Sequence, residues 1–212
     1  MRRHKVLNTP AIRRMPTYLH KLMEMHAAGE EYASTSKLAE YIRLEPIVVR
    51  KDFELTGVKG FPGVGYRTKE LIDAIRSYLG WDTGHRACLV GAGSLGSALL
   101  GFQDFAEYGM QITDVFDANP AKVGTVLRGY TVHSIDEMED RVKENMPELA
   151  IICVSKESAQ EVVDRLIACG VQAFWSFANI CLQVPQNVVV QREVIAGGYA
   201  LLSMKRKQHL PK

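Results

Sequence analysis

Residues 91–96 read Gly-Ala-Gly-Ser-Leu-Gly, and the chemistry this spacing serves is the holding of a pyrophosphate. The apolar run Ala87 to Val90 precedes them and a helical pattern follows. The glycines therefore fall where a buried strand turns into a helix. There Gly91 permits the turn, Gly93 lets backbone approach a phosphate, and Gly96 lets the helix lie close to the sheet. The amides at the helix start, with the positive end of the helix dipole, would take the phosphates. A second requirement is a carboxylate ending the next strand, roughly twenty residues on, to bond the adenine ribose hydroxyls. Ile112-Thr113-Asp114-Val115-Phe116 ends in Asp117, and the next residues, Ala118, Asn119 and Pro120, carry no positive charge. A lone carboxylate there would repel a 2′-phosphate, so the pattern predicts NAD(H) over NADP(H). The competing reading is a glycine-rich turn without a ligand, with Asp117 as a turn residue.

The second constellation is Arg50-Lys51 on a short helix, flanked by Val48, Val49 and Phe53. Thr9-Pro10 reads as a cap and first helical turn, and Ile12, Met15, Leu19, Leu22, Met23 and Met25 continue at helical spacing to Gly29, with Pro16 inside the pattern. Ser34-Thr35-Ser36 opens a second helix. Glu45-Pro46 opens a third, ending at Gly57, and two short helices so joined form a helix-turn-helix. Arg50 and Lys51 would then reach bases and phosphates from the major groove. The alternative is a solvated basic face on a helical domain that only dimerises. Gly57 to Tyr66 predicts a two-stranded ribbon with a turn, and Thr68 caps a fourth helix ending at Gly80. Beyond Trp81–His85, strands over 86–91, 111–117, 149–155, 171–177 and near 188–192 alternate with helices over 94–107, 134–145 and 157–168. The fold class is therefore α/β: a helix-turn-helix unit over 1–82, then a Rossmann-type parallel sheet over 83–212. Residues 194–208 could form a last helix, weakened by Gly197-Gly198.

Charge divides along the same line. Residues 1–80 carry 14 Lys+Arg against 9 Asp+Glu, whereas residues 81–204 carry 8 against 15. Only the first part is suited to a polyanion. The cysteines Cys88, Cys153, Cys169 and Cys181 lack zinc-site or redox-pair spacing, and Cys88 and Cys153 fall in predicted buried strands. No apolar run is long enough to span a bilayer, and Arg2, Arg3 and Lys5 precede no apolar signal segment. No membrane association, no metal and a cytoplasmic location are expected. His133 reads as solvated ahead of a helix cap and Lys156 as exposed in a first helical turn. Neither is a persuasive proton donor, so no catalytic residue is assigned and no enzyme is predicted.

Val49-Arg50-Lys51-Asp52-Phe53, Gly63-Val64-Gly65-Tyr66, Val90-Gly91-Ala92-Gly93-Ser94-Leu95-Gly96, and Phe116-Asp117 with Pro120 and Lys122 together resemble the Rex family of redox-sensing transcriptional repressors. The similarity runs from about Thr9 to about Leu202. It implies a winged-helix domain, a Rossmann-type domain, and a homodimer exchanging its C-terminal helix. It further implies binding of double-stranded operator DNA, released as NADH rises relative to NAD⁺. On this resemblance Arg50 and Lys51 contact DNA, supported at its backbone by Ser36, Lys59 and Tyr66. Gly91, Ala92, Gly93, Ser94, Leu95, Gly96 and Asp117 hold adenosine and pyrophosphate, and Phe102 and Phe177 border the nicotinamide. Several positions depart from the family pattern. Phe61 and Pro62 replace a basic pair in the wing, and Glu45-Pro46-Ile47-Val48 replaces small polar residues. Asn179 ends Ser176-Phe177-Ala178-Asn179, and Phe102 replaces a common tyrosine. Val194 stands where an aspartate pairs with the opening-helix arginine, so Arg14 is expected to lack that partner, with Glu193 adjacent. Two other readings are a relative whose nucleotide response is lost or changed, and a small NAD-dependent oxidoreductase.

Overall fold

A computed structural model describes residues 7–209. Arg2, Arg3 and Lys5, on which the signal-segment reading rests, lie outside the described residues. The chain divides into two compact units between Thr83 and Gly84.

In the first unit, α1 (Thr9–Ala27), α2 (Thr35–Ile42), α3 (Pro46–Glu54) and α4 (Thr68–Leu79) accompany two short strands, β1 (Tyr32–Ala33) and β2 (Tyr66–Arg67). The cap of α1 is Asn8, whose side chain accepts from the Ala11 amide, so Thr9 is already helical. Pro16 lies within the helix. The buried face of α1 (Met15, Tyr18, Leu19, Leu22) meets Leu38, Val49, Phe53, Leu71 and Ile75, all fully buried. Helical spacing put these residues on one face each, and that face is the core. The ribbon predicted over 57–66 is not a regular pair of strands. Phe61 and Gly65 form one bridge around a tight turn, and the two-stranded sheet pairs Tyr32 with Arg67 and Ala33 with Tyr66. Pro62 lacks an amide donor, so the short loop cannot support a longer ladder.

The second unit is a seven-stranded sheet made of β3 (His85–Val90), β4 (Met110–Asp117), β5 (Val126–Leu127), β6 (Tyr130–Ser134), β7 (Leu149–Ile152), β8 (Ala173–Ser176) and β9 (Val189–Arg192). Their order is β5-β6-β4-β3-β7-β8-β9, and every pairing is parallel except β5 with β6. Successive residues of β3 feed opposite faces. Cys88 and Val90 join one core with Phe116, Val163 and Leu166, and Ala87 and Leu89 join the other with Phe105 and Val115. The chain leaves β3 toward β4 on one side and later returns to β7 on the other. This reversal opens a crevice at the carboxyl ends of the strands, where such sheets bind ligands.

The helices are α5 (Ser94–Leu100), α6 (Asp104–Glu107), α7 (Met138–Asn145), α8 (Lys156–Ala168) and α9 (Ile195–His209). The single helix predicted over 94–107 is interrupted, because Gly101 closes α5 and Phe102 and Gln103 lead into α6. The helix predicted from 134 begins instead as a 3-10 turn, Ile135–Glu137, capped by Ser134. His133 lies in β6, its ring 6.2 Å from that of Phe116. Cys88 is fully buried in β3, as expected, whereas Cys153 falls just past the end of β7 and is only half-buried; burial pushes both thiols up to about 12. No helix among the described residues is long and apolar enough to cross a membrane.

Candidate dinucleotide crevice and nucleic-acid interface

Gly91 adopts φ +102, and a Cβ on it would sit 2.7 Å from the Cys153 carbonyl. A Cβ on Gly96 would collide with the carbonyl oxygen of Gly91, whereas one on Gly93 would meet nothing within 4 Å. The first and third glycines are thus required by the packing of strand and helix, and the second leaves open space before the α5 amides. Gly93 caps α5 and has no side chain to accept from the helix's first amides. The strand-turn-helix is built by buried β3 residues on one side and Leu100 on the other.

Asp117 ends β4 and lies across the glycine loop. Its Oδ2 accepts from the Ala92 amide at 2.8 Å and its Oδ1 from the Asn119 amide at 2.8 Å. Lys122 Nζ donates to the same Oδ2 and to the Ala92 carbonyl, both at 3.1 Å. A cation therefore does reach Asp117, from five positions along rather than from the next residues. It pairs the carboxylate, so simple repulsion of a 2′-phosphate is weaker than the sequence alone predicted. The crevice holds about 360 Å³ and is lined by Gly91, Gly93, Asp117 and Lys122 on one side and by Ser155, Ser158, Glu161 and Arg165 on the other. Sequence reasoning did not place Ser155, Ser158, Glu161 or Arg165 at the crevice, and it noted Lys122 only as part of the family pattern, without its contact to Asp117. Their signal was position, since each follows the carboxyl end of a parallel strand. Arg165 is held by Glu139 and donates to the Ile135 carbonyl at 2.8 Å. This pairing draws the Glu139 carboxyl below its ordinary range. Lys156 is well exposed at the start of α8.

Phe102 and Phe177 stand at the two ends of one aromatic row. Phe102 meets Phe105 at 4.8 Å, Phe105 meets Trp175 at 5.9 Å, and Trp175 meets Phe177 at 5.1 Å between ring centroids. Phe102 is 46% exposed. The Phe102 ring lies in the break between α5 and α6, which the sequence reading had made continuous helix.

In the first unit, Val49, Asp52 and Phe53 face inward from α3, leaving Ile47, Arg50, Lys51 and Glu54 exposed along its outer side. A groove of about 770 Å³ is lined by Ser34, Ser36, Arg50, Glu54, Lys59 and the loop from Gly60 to Tyr66. Ser36, Arg50 and Lys59 are thereby brought together, and Lys51 lies beside them. Tyr66 lines the same groove and is largely buried, with its ring edge-on to that of Phe53 at 5.3 Å. Burial pushes its hydroxyl above the ordinary tyrosine range. Phe61, the wing departure, stacks edge-on with Tyr32 and lies under the Arg67 guanidinium. Arg14 does have a partner. Its Nε and terminal nitrogen donate to Asp52 at 2.7 and 2.8 Å, and the Tyr18 hydroxyl donates to Asp52 at 2.7 Å. The sequence leaves the partner of Arg14 open, because Asp52 is 38 positions away and no local pattern joins the two.

These two sites define a class: a helix-turn-helix unit whose outer helix exposes Arg50 and Lys51, joined to a Rossmann-type unit with an open dinucleotide crevice. Comparison with known proteins narrows it. Residues 8–54 match a family described as putative DNA-binding protein N-terminus, and residues 82–180 match the CoA binding domain family. A redox-sensing transcriptional repressor Rex of Treponema denticola is 43% identical over 96% of this chain and 97% of its own. A Rex of Clostridium beijerinckii is 39% identical over 90% of each. Among solved structures, RSP, a Rex-family repressor, in complex with β-NAD⁺ and operator DNA superposes at TM-score 0.85 with 28% identity, covering 97% of this chain and 95% of that one. RSP in complex with β-NADH superposes at TM-score 0.82, covering 97% of both. The chain belongs to the Rex family of redox-sensing transcriptional repressors.

Proposed function

We propose that this chain represses transcription by binding a palindromic operator as a homodimer in the cytoplasm, and that NADH at the β3–β4 crevice releases it. Similarity across both units carries this reading, because relatives match nearly the whole chain rather than one module. In the crevice, the amides after Gly91 hold the pyrophosphate, with Gly93 giving it room. Asp117, already fixed by Ala92, Asn119 and Lys122, keeps one acceptor position, on Oδ1, for an adenine ribose hydroxyl. Phe102 and Phe177 border the nicotinamide. Reduced nicotinamide is neutral and oxidised nicotinamide is cationic, so a closed apolar surround penalises only the latter. That difference in affinity is what shifts the equilibrium between DNA-binding and released forms. On DNA, Arg50 and Lys51 enter the major groove, and Ser36 and Lys59 contact the backbone.

The homodimer reading has support from α9. Ile195, Tyr199, Leu201, Leu202 and Met204 are 54–73% exposed, and no residue of the helix is buried among the described residues. Exchange of this helix against a partner would cover them. The test is a titration of operator DNA with each nucleotide. NADH should release DNA at concentrations where NAD⁺ does not. Equal DNA binding with either nucleotide, or none, would overturn the sensing mechanism.

A further inference from the structure

The outer side of α3 carries an isoleucine where a folded domain gains little from one. Ile47 is 52% exposed, one turn ahead of Arg50 and Lys51, while Val49, Asp52 and Phe53 fix the helix from behind. Isolated exposed apolar residues are common on protein surfaces. Ile47, however, stands in the first turn of the helix that carries the basic pair, the end that meets base edges when such a helix enters the major groove. It has no donor or acceptor to offer a base or phosphate. The one apolar feature the major groove displays is the C5-methyl group of thymine. We infer that Ile47 is a specificity-determining residue that reads a thymine methyl in each operator half-site. This rests on the repressor reading above and adds to it the kind of base recognised at the leading end of α3. Glu45 and Pro46, which precede Ile47 in this chain, contribute no competing donor side chain, so the contact there is one of shape.

The experiment uses the full chain. Duplexes are selected from a random library, and each thymine of the enriched half-site is replaced in turn by deoxyuridine, which loses the methyl and keeps every hydrogen bond. At one position per half-site the replacement should weaken binding by about fourfold, the size of burying one methyl group. In Ile47→Ala that penalty should vanish while penalties elsewhere remain, and in Ile47→Val part of it should persist. The inference is overturned if no thymine shows a methyl penalty, or if the penalty is the same in Ile47→Ala. A library yielding no enriched duplex would overturn the repressor reading itself, which separates the two failures. Unchanged thermal unfolding of Ile47→Ala would place its effect on recognition rather than on folding.

Discussion

Replacing Arg14 by methionine keeps the aliphatic stem and removes the guanidinium that meets Asp52. The Asp52 side chain is 4% exposed and that of Arg14 30% exposed. The pairing, with the hydroxyl of Tyr18, raises the Arg14 guanidinium above its ordinary range, led by the hydrogen bond to Asp52. Without Arg14, the carboxylate stays buried with one donor, the Tyr18 hydroxyl at 2.7 Å. Breaking one side of a buried pair costs about 3–5 kcal/mol. Because water reaches Arg14, about 2–4 kcal/mol is the fitting expectation here. For a unit of this size that corresponds to a loss of roughly 10 °C or more in its unfolding temperature. The double variant Arg14→Met with Asp52→Leu removes both charges and should recover most of the loss, whereas Tyr18→Phe should cost only about 1 kcal/mol, one hydrogen bond. Hydrogen exchange resolved on peptides from α1 and α3 isolates this unit from the Rossmann-type unit. The same variant should weaken DNA binding, since Asp52 follows directly on Arg50 and Lys51. A single Arg14→Met variant within about 0.5 kcal/mol of the native chain would refute the reasoning, because a buried, unpaired carboxylate cannot be that cheap.

Three further outcomes follow from the same geometry. Lys51→Ala should reduce the salt slope of operator binding by about 0.9 per subunit, one phosphate contact; an unchanged slope measured by gel shift would remove Lys51 from the backbone. Asp117→Ala should weaken NADH roughly 10- to 100-fold in calorimetry, the worth of hydrogen bonds to a charged group, and leave nucleotide-free DNA binding intact. Glu139→Gln should lower stability at neutral pH yet flatten its loss in acid. The Glu139 carboxyl is drawn down chiefly by the Arg165 hydrogen bond. A depressed carboxyl contributes stability above its unfolded pKa of about 4.3 and loses it as pH falls through its folded value. Urea midpoints compared at pH 7 and below pH 4 would check this, and parallel acid profiles would contradict it.

The parts of the fold that were legible in the sequence are those set by local periodicity. The strands read over 86–91, 111–117 and 149–155 became parallel neighbours, because a strand buried on both faces needs no polar alternation; the last ends earlier than expected, at Ile152. The glycines at 91, 93 and 96 were legible because their spacing answers a steric demand that the packing around Gly91 and Gly96 makes explicit. What stayed hidden depends on distance along the chain. Tyr32-Ala33 could not be read as a strand, since two residues pair only because Tyr66-Arg67 lies beside them. The ion pair of Arg14 with Asp52 spans 38 positions, and no local pattern marks it. The contact of Lys122 with Asp117 stayed hidden for a related reason: a lysine five residues beyond a strand reaches back only because the turn after β4 folds it over the glycine loop.

The C-terminal helix brings these two levels together. Propensity argued against it through Gly197-Gly198, each costing about 1 kcal/mol, and an isolated helix of this length is marginal in water. Yet α9 runs from Ile195 to His209 with its large apolar side chains exposed. Nothing among the described residues buries its apolar side chains, so under the proposed exchange its stability is supplied by the second subunit. Dimerisation and helix formation then become one equilibrium. Dilution should melt α9 as it separates subunits, with helical circular dichroism falling along the same concentration curve as the dimer measured by sedimentation. A helix signal independent of concentration, while the dimer dissociates, would show that α9 folds without its partner and that the exchange is not what orders it.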